Sequence, residues 1–259
     1  MVSAEGPQGA APRLLPQHAA GGRTLCRCRR CPRLVSWRQA IDQRGVLARN
    51  RGKPFWARPV PGYGDPEAWL LVIGLAPGFN GANRTGIPFV GDFSGRVLFG
   101  ALHRMGWCDP ADPREPDQAP VLRGVFITNV LKCVPPQNKP LAAEIANCRP
   151  HFQRDLARLP RLRWVLALGR VAHDAYLDYA SERAGPLRRA DFRFAHGAVH
   201  DFAGAVPRLI DSYHTSQQNV FTGRMDAAKL IALLEWASSR RGGPAGPRSA
   251  GGLAGADRA

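Results

Sequence analysis

The chain has 259 residues, with 36 Lys or Arg against 20 Asp or Glu, so its formal net charge is +16. An apolar share of 44% allows a packed core and excludes a chain that is disordered throughout. No run approaches the roughly 20 consecutive apolar residues of a membrane span, so we expect no membrane association. The positive charge makes a polyanion such as nucleic acid the first partner to consider.

Composition divides the chain into one domain and two tails. Residues 1–24 contain 12 Gly, Ala or Pro and residues 240–259 contain 13, and neither has an apolar period. We expect both tails to be disordered, because they cannot bury enough surface to offset the entropy of ordering. The remaining residues, 25–239, fit one domain, which we expect to be monomeric. The start of the chain has no secretory signal, so we expect a reducing compartment, the bacterial-type cytoplasm or nucleoid.

Strand-like and helix-like segments alternate within the domain. Short apolar runs predict buried strands at 69–75, 125–130, 164–168 and 209–213. Helical spacing appears at 97–105, from Pro150 to 159, at 171–177 and at 225–236, with Pro150 in a first turn. The alternation predicts an α/β fold with a parallel sheet and helices on both faces.

Polar loops follow three of the predicted strands. They are residues 74–78 (Gly-Leu-Ala-Pro-Gly), 128–133 (Thr-Asn-Val-Leu-Lys-Cys) and 213–219 (Tyr-His-Thr-Ser-Gln-Gln-Asn). In sheets of this kind the working site lies at the carboxyl ends of the strands. We therefore expect the three loops to converge on one pocket.

Four of the six cysteines have the spacing of a metal site. Cys28 and Cys31 form a C-x-x-C pair, and Cys133 and Cys148 can complete a four-thiolate site. The spacing fits zinc or an iron–sulfur cluster and does not choose between them. Reduced, partly buried cysteines without a metal are the alternative. The two cysteines interpreted as non-ligands are Cys26 and Cys108, although the first could compete with Cys28.

Three further side chains suit the binding of a flat, polar ligand. Phe89, between two glycines, can offer its ring for stacking, or it can close the loop as a core residue. Asn129 can pair with a donor and an acceptor on a base edge, or it can cap its loop. His214 can donate a hydrogen bond to an oxygen that gains charge, although a lone histidine is more often structural.

Taken in order, these motifs resemble the uracil-DNA glycosylase superfamily. The segments that carry the resemblance are 74–78, 81–86 with 89–92, Asn129 before Lys132 and Cys133, and 214–219 with 222–224. They are most similar to family 5, the iron–sulfur-containing type B enzymes. The resemblance extends from about Cys28 to Trp236.

The resemblance implies a three-layer α/β/α sandwich with a mostly parallel four-stranded central sheet. It implies a 4Fe–4S cluster on Cys28, Cys31, Cys133 and Cys148. It also implies hydrolytic excision of uracil from double- and single-stranded DNA, leaving an abasic site, with hypoxanthine and other deaminated bases as further substrates.

The resemblance also assigns roles within the site. Phe89 would stack on the flipped base, Asn129 would read its polar edge, and His214 would stabilise the charge on the departing base. The other substrate-binding positions it implies are Gly74, Leu75, Ala76, Ser216 and Asn219. The loop at 219–224 would enter the minor groove.

Two positions depart from the family patterns. Leu75 stands where family 4 has an acidic residue that positions water, and an apolar residue there is similar to family 5. Asp92 is our candidate for handling water, with a loop-capping role as the alternative. Thr215 stands where a proline is common, so we expect altered loop rigidity without loss of activity.

A basic segment near the N-terminus favours contact with phosphates. From Arg23 to Arg58 there are 11 Lys or Arg and one acid, Asp42, interleaved with Trp37, Phe55 and Trp56. Such a run can also be a solvated face. Two other functions remain open: a non-catalytic nucleic-acid-binding module with a structural four-cysteine metal site, and an enzyme of free nucleotides, which the basic charge disfavours.

Overall fold

A computed structural model describes residues 22–41 and 45–241 of the chain. The helices of these residues are α1 (Gly22–Cys26), α2 (Pro32–Ala40), α3 (Ala82–Thr85), α4 (Phe93–Arg104), α5 (Ala142–Ala157), α6 (Arg170–Ala184), α7 (Gln217–Phe221) and α8 (Ala227–Ser238). The strands are β1 (Tyr63–Gly64), β2 (Leu70–Gly74), β3 (Cys108–Asp109), β4 (Val121–Leu122), β5 (Val125–Asn129), β6 (Trp164–Leu168), β7 (Val199–His200) and β8 (Arg208–Ser212). Short 3₁₀ turns lie at Ala48–Asn50, Pro116–Gln118, Pro136–Asn138 and Arg189–Asp191.

The main sheet has the strand order β1-β5-β2-β6-β8-β7. The four central strands, β5, β2, β6 and β8, pair in parallel, and the two-residue strands β1 and β7 add antiparallel edges. The predicted four-stranded parallel sheet is therefore confirmed. The edge strands were missed because two residues carry no periodicity.

Helices cover both faces of this sheet. Along β2, Leu70 and Val72 face a core that includes α4 and α8, whereas Leu71 and Ile73 face a core that includes α5 and α6. This alternation is expected, because successive side chains of a strand point to opposite faces. The arrangement is a three-layer α/β/α sandwich, as predicted.

The largest error of the sequence interpretation concerns Pro150. We expected it in the first turn of a helix, but α5 begins at Ala142 and carries Pro150 inside it. The first half of α5 is mostly exposed and has no apolar stripe, so only its second half was visible in the pattern. The carboxylate of Glu144 marks the true start, since it accepts a 2.8 Å hydrogen bond from the N–H of Leu141.

Apart from their inner ends, the expected tails at 1–24 and 240–259 lie outside the described residues. The described chain already enters α1 at Gly22, inside the first of these segments. None of the described helices is long and apolar enough to cross a membrane.

Candidate active site and cysteine cavity

The carboxyl ends of β2, β5 and β8 lead into the three polar loops, as predicted. Gly74 ends β2 directly beside Asn129, which ends β5. The Phe89 ring lies against Gly74 and stacks with the His214 ring at 6.2 Å between centroids and an angle of 28°. Phe89 therefore joins Asn129 and His214 into one cluster of side chains at the carboxyl end of the sheet.

Asn129 is 2% exposed, and its Oδ1 atom is buried without a hydrogen-bond partner among the described residues. Buried polar atoms without partners are rare and call for an explanation. A Cβ atom on Gly74 would lie 2.4 Å from this Oδ1 and 2.7 Å from the Phe89 ring. Only glycine leaves room for the amide and the ring to meet at the end of the strand.

A buried ion pair holds the main chain at Asn129. The Lys132 ammonium, 1% exposed, donates to the Asn129 carbonyl at 2.9 Å and to the carboxylate of Asp155 at 2.5 Å. The Thr128 hydroxyl also donates to Asp155, at 2.6 Å. This network was not predicted from the sequence, although a lysine next to a candidate metal ligand was a signal for it.

Phe89 has a φ of +64°, a conformation that non-glycine residues rarely adopt. The loop is held by the hydroxyl of Thr85, which donates to the Val90 carbonyl at 3.1 Å. It also packs closely against α4, where a Cβ atom on Gly95 would lie 1.8 Å from the Phe89 carbonyl oxygen. Such conformations concentrate at ligand sites, where the surrounding structure supports the strain.

Burial lowers the pKa of His214 to about 4, so its imidazole is neutral at neutral pH. Hydrogen bonds from its own loop fix its main chain. The Asn219 side chain donates to the His214 carbonyl at 2.8 Å, and Ser216 caps α7 by accepting from the Asn219 N–H. Thr215 donates from its hydroxyl to the Ser94 carbonyl at 3.1 Å. In this structure Ser216 and Asn219, both expected to bind substrate, order the histidine loop.

Asp92 has the capping role that we considered as its alternative. It is the N-cap of α4 and accepts from the Gly95 N–H at 2.7 Å. Burial raises its pKa to about 6, although hydrogen bonds from the Gly95 and Ser94 main chain oppose the shift. Its carboxylate packs against Gly78 and Gly81, where added Cβ atoms would lie 3.1 and 2.6 Å from Oδ2. Leu75 and Ala76 are half-buried in the same first loop.

A groove of about 630 Å³ begins at Asp92 and is open to solvent. Its basic side chains are Arg49, Arg96 and Arg114. The N-terminal basic segment forms one wall, because Phe79 packs against Trp37 at 6.0 Å and against Phe55 at 5.7 Å. The expected basic segment is therefore docked on the first loop.

Cys28, Cys31, Cys133 and Cys148 line a single cavity, although they come from three separate parts of the chain. Desolvation raises the pKa of Cys133 to about 12 and that of Cys148 to about 11. Two N–H groups already point at these sulfurs: Lys132 N lies 3.3 Å from Cys148 Sγ and Asn147 Nδ2 lies 3.7 Å from Cys31 Sγ. Four partly buried sulfurs that line one cavity suit a bound cation, which stabilises the thiolate form.

The spacing of these sulfurs is wide. No three cysteine sulfurs of the described residues lie within 4.8 Å of one another. Tetrahedral zinc with bonds of about 2.3 Å would bring its sulfurs within about 3.8 Å. The four sulfurs are therefore not drawn together as closely as in a tetrahedral zinc site. Cys26 does not line it, and its Sγ faces the Pro59 carbonyl at 3.8 Å.

Sequence analysis also missed a buried cluster on β8. Asp211 is fully buried and accepts from His173 at 2.8 Å and from His200 at 2.9 Å. The second ring nitrogen of His173 lies 3.0 Å from the Phe192 carbonyl. A carboxylate inside a predicted strand indicates buried partners, but the sequence did not identify them.

Comparison with known proteins gives a consistent result. The family described as "Uracil DNA glycosylase superfamily" matches residues 61–237. A Type-5 uracil-DNA glycosylase of Thermus thermophilus is 43% identical over 82% of this chain and 92% of its own length. The corresponding proteins of Mycobacterium bovis and Pyrobaculum aerophilum are each 39% identical. These alignments cover 86% and 84% of this chain, and 84% and 91% of the relatives.

Proposed function

This chain belongs to the uracil-DNA glycosylase superfamily, among its Type-5 members, and we propose that it excises uracil and other deaminated bases from DNA. It is a monofunctional glycosylase, which hydrolyses the N-glycosidic bond and leaves an abasic site. The observation that carries the choice of substrate is the unpaired, buried Oδ1 of Asn129 beside the Phe89 ring.

The side-chain amide of Asn129 pairs with a base edge that presents an N–H donor beside a carbonyl, because its Oδ1 accepts from the N–H while its Nδ2 donates to the carbonyl. Uracil carries an N–H next to a carbonyl, whereas cytosine carries a ring acceptor next to an amino group. Hypoxanthine differs from adenine in the same way, so one amide can accept both deaminated bases and reject their parents. Stacking on Phe89 holds any flat base that has left the helix.

Bond breaking depends on stabilising the leaving base. As the glycosidic bond opens, the sugar gains positive charge and the pyrimidine gains negative charge. The neutral His214 donates a hydrogen bond to the base oxygen that gains this charge. Water then attacks the sugar cation, and the carboxylate of Asp92, whose pKa is about 6, orients that water and takes up the proton that it releases. Because His214 stabilises the leaving base and Asp92 orients the water, the site does not need an acidic residue in the place of the apolar Leu75.

The DNA backbone lies along the groove that carries Arg49, Arg96 and Arg114. Phe221 is 72% exposed at the end of α7, next to the histidine loop, and packs edge-on against Phe93 at 5.8 Å. An exposed aromatic at this position suits insertion into the gap that a flipped base leaves. We place the protein, as a monomer, on DNA of the cytoplasm or nucleoid.

We assign a 4Fe–4S cluster to Cys28, Cys31, Cys133 and Cys148. When bound, the cluster would cross-link these parts of the chain, and it would take no part in a redox step. The four ligands join the segment before α2 to the end of β5 and to α5. The Arg33–Glu144 ion pair, at 2.8 Å, joins α2 and α5 beside it.

The test is incubation of the purified protein with a duplex that carries one uracil, followed by alkaline cleavage of abasic sites. We expect strand cleavage at the uracil and at hypoxanthine, and none at cytosine or adenine in matched duplexes. A protein that binds these duplexes but forms no abasic site would be the non-catalytic binding module instead.

A further inference from the structure

His151 lies in the cysteine cavity with one ring nitrogen unused. The side chain is 9% exposed and its Nε2 atom is buried without a hydrogen-bond partner. Of the described residues that line this cavity, only His151 has a buried side-chain nitrogen or oxygen in that state. Because such groups are rarely left unpaired, the ring calls for a partner that the described residues do not provide.

The position of His151 on α5 indicates what the missing partner of its ring is. Cys148 lies three residues earlier on the same helix, so the two side chains share one face. Both line the cavity together with Cys28, Cys31 and Cys133. A group that the four sulfurs hold would therefore share this cavity with the His151 ring.

The chemistry of the ring suits a sulfur acceptor. Burial and the neighbouring Arg30 and Lys132 charges lower the pKa of His151, so the imidazole is neutral and retains one N–H. The cavity already contains two N–H groups directed at cysteine sulfur, from Lys132 and Asn147. A third donor at His151 follows the same pattern.

We propose that His151 donates its Nε2–H to a sulfur atom of the cluster held by the four cysteines and thereby retains that cluster. The proposal rests on the cofactor assigned above. Hydrogen bonds to cluster sulfurs stabilise the more negative, reduced form and so raise the reduction potential. His151 is thus a positioning residue for the cofactor and takes no part in base excision.

The test compares His151→Leu, which cannot donate, with His151→Gln, whose amide can. His103→Leu on α4 is the matched control, since it removes a histidine far along the chain from the cavity. We expect His151→Leu to have a lower reduction potential and to lose its visible absorption about tenfold faster under chelator in air, the scale of one hydrogen bond to a charged group. His151→Gln and His103→Leu should stay close to the wild type in both measurements.

Each result separates this inference from the proposed function. If His151→Leu matches the wild type in potential and in the rate of iron loss, the role of His151 is wrong, whatever the activity. If His151→Leu is purified without iron, His151→Gln decides: an equally iron-free glutamine variant would also overturn the proposal. A wild-type protein that lacks iron and sulfide overturns both the cluster and the role of His151, while uracil excision is measured independently.

Discussion

The two polar strand ends of the site are supported in different ways. Behind His214, the carboxylate of Asp211 accepts from His173 and His200, and His173 also faces a main-chain carbonyl. Among the described residues, this cluster leaves no buried side-chain nitrogen or oxygen without a partner.

The Asn129 end also has a buried carboxylate behind it, Asp155, which is paired with Lys132. Here, however, two side-chain atoms remain unpaired: Asn129 Oδ1 in the base pocket and His151 Nε2 in the cysteine cavity. One faces the proposed substrate and the other faces the proposed cofactor.

The comparison indicates which of two similar clusters is the better candidate for a binding site. By distance alone, His173, His200 and Asp211 make the better metal site, because their ligand atoms lie within 4.8 Å of one another. Each of these atoms already has a partner, so the cluster fixes β8 and the segment that leads to His214. For these two clusters, the unpaired atoms and not the short distances distinguish the candidate site.

The largest effect is expected for substitution of His214, which follows the strand end whose buried polar groups are all paired. His214→Ala should slow excision by about a hundred- to a thousandfold in single turnover, since it removes one preorganised donor. Because the pKa of His214 is about 4, the wild-type rate should not collapse as the pH rises past the usual imidazole value of about 6.5. DNA affinity at matched salt should be unchanged, because phosphate contacts supply most of it.

A smaller effect, which differs from one base to another, is expected for substitution of Asn129. Asn129→Ala should weaken uracil excision by about 1–3 kcal/mol and relax discrimination against cytosine, because it removes the acceptor that reads the base edge. Phe89→Ala is the matched comparison and should slow excision of uracil and hypoxanthine alike, since stacking does not read identity. Equal losses on every base in both variants would contradict this division.

Substitution of Asp92 is expected to change stability and activity in opposite directions. Its pKa is raised from 3.8 to about 6, so both states are protonated below pH 3.8, and above pH 6 the folded state carries a charge that its partly buried surroundings disfavour. Asp92→Asn keeps a good cap and should raise the free energy of unfolding by about 1–2 kcal/mol at pH 8, since solvent screens part of the effect, with the gain vanishing below pH 4.

The wild-type excision rate should fall as the pH drops through 6, because the carboxylate that orients water becomes protonated. Asp92→Asn should remove this dependence while losing less activity than His214→Ala. If Asp92→Ala abolished cleavage and His214→Ala left it near wild type, water activation would be the main catalytic device.

The smallest effect concerns Thr215. Thr215→Val removes the hydroxyl that ties the histidine loop to Ser94 at the start of α4, and should lower stability by about 1 kcal/mol. Excision should slow by no more than about threefold, because Asn219 still holds the His214 carbonyl. A loss as large as that of His214→Ala would show that this one bond sets the position of the histidine.

The sequence predicted the central strands and the loops that follow them, because apolar runs and polar strand ends are local patterns. It could not predict how buried charges pair. Lys132 meets Asp155 across 23 positions and His173 meets Asp211 across 38, and no periodicity links such residues. The start of α5 was missed for a related reason, since a polar first half carries no core signal.

Gly74 has a consequence for how the range of accepted bases can evolve. Main-chain atoms form the pocket at this point, and even one methyl group there would collide with Asn129 and Phe89. The position of these main-chain atoms is set by the pairing of the sheet, so a single side-chain substitution at another position does not change it. The depth of the site is therefore expected to stay constant while the sheet is kept, and new base preferences are expected to arise at Asn129, which reads the base edge, and not at position 74.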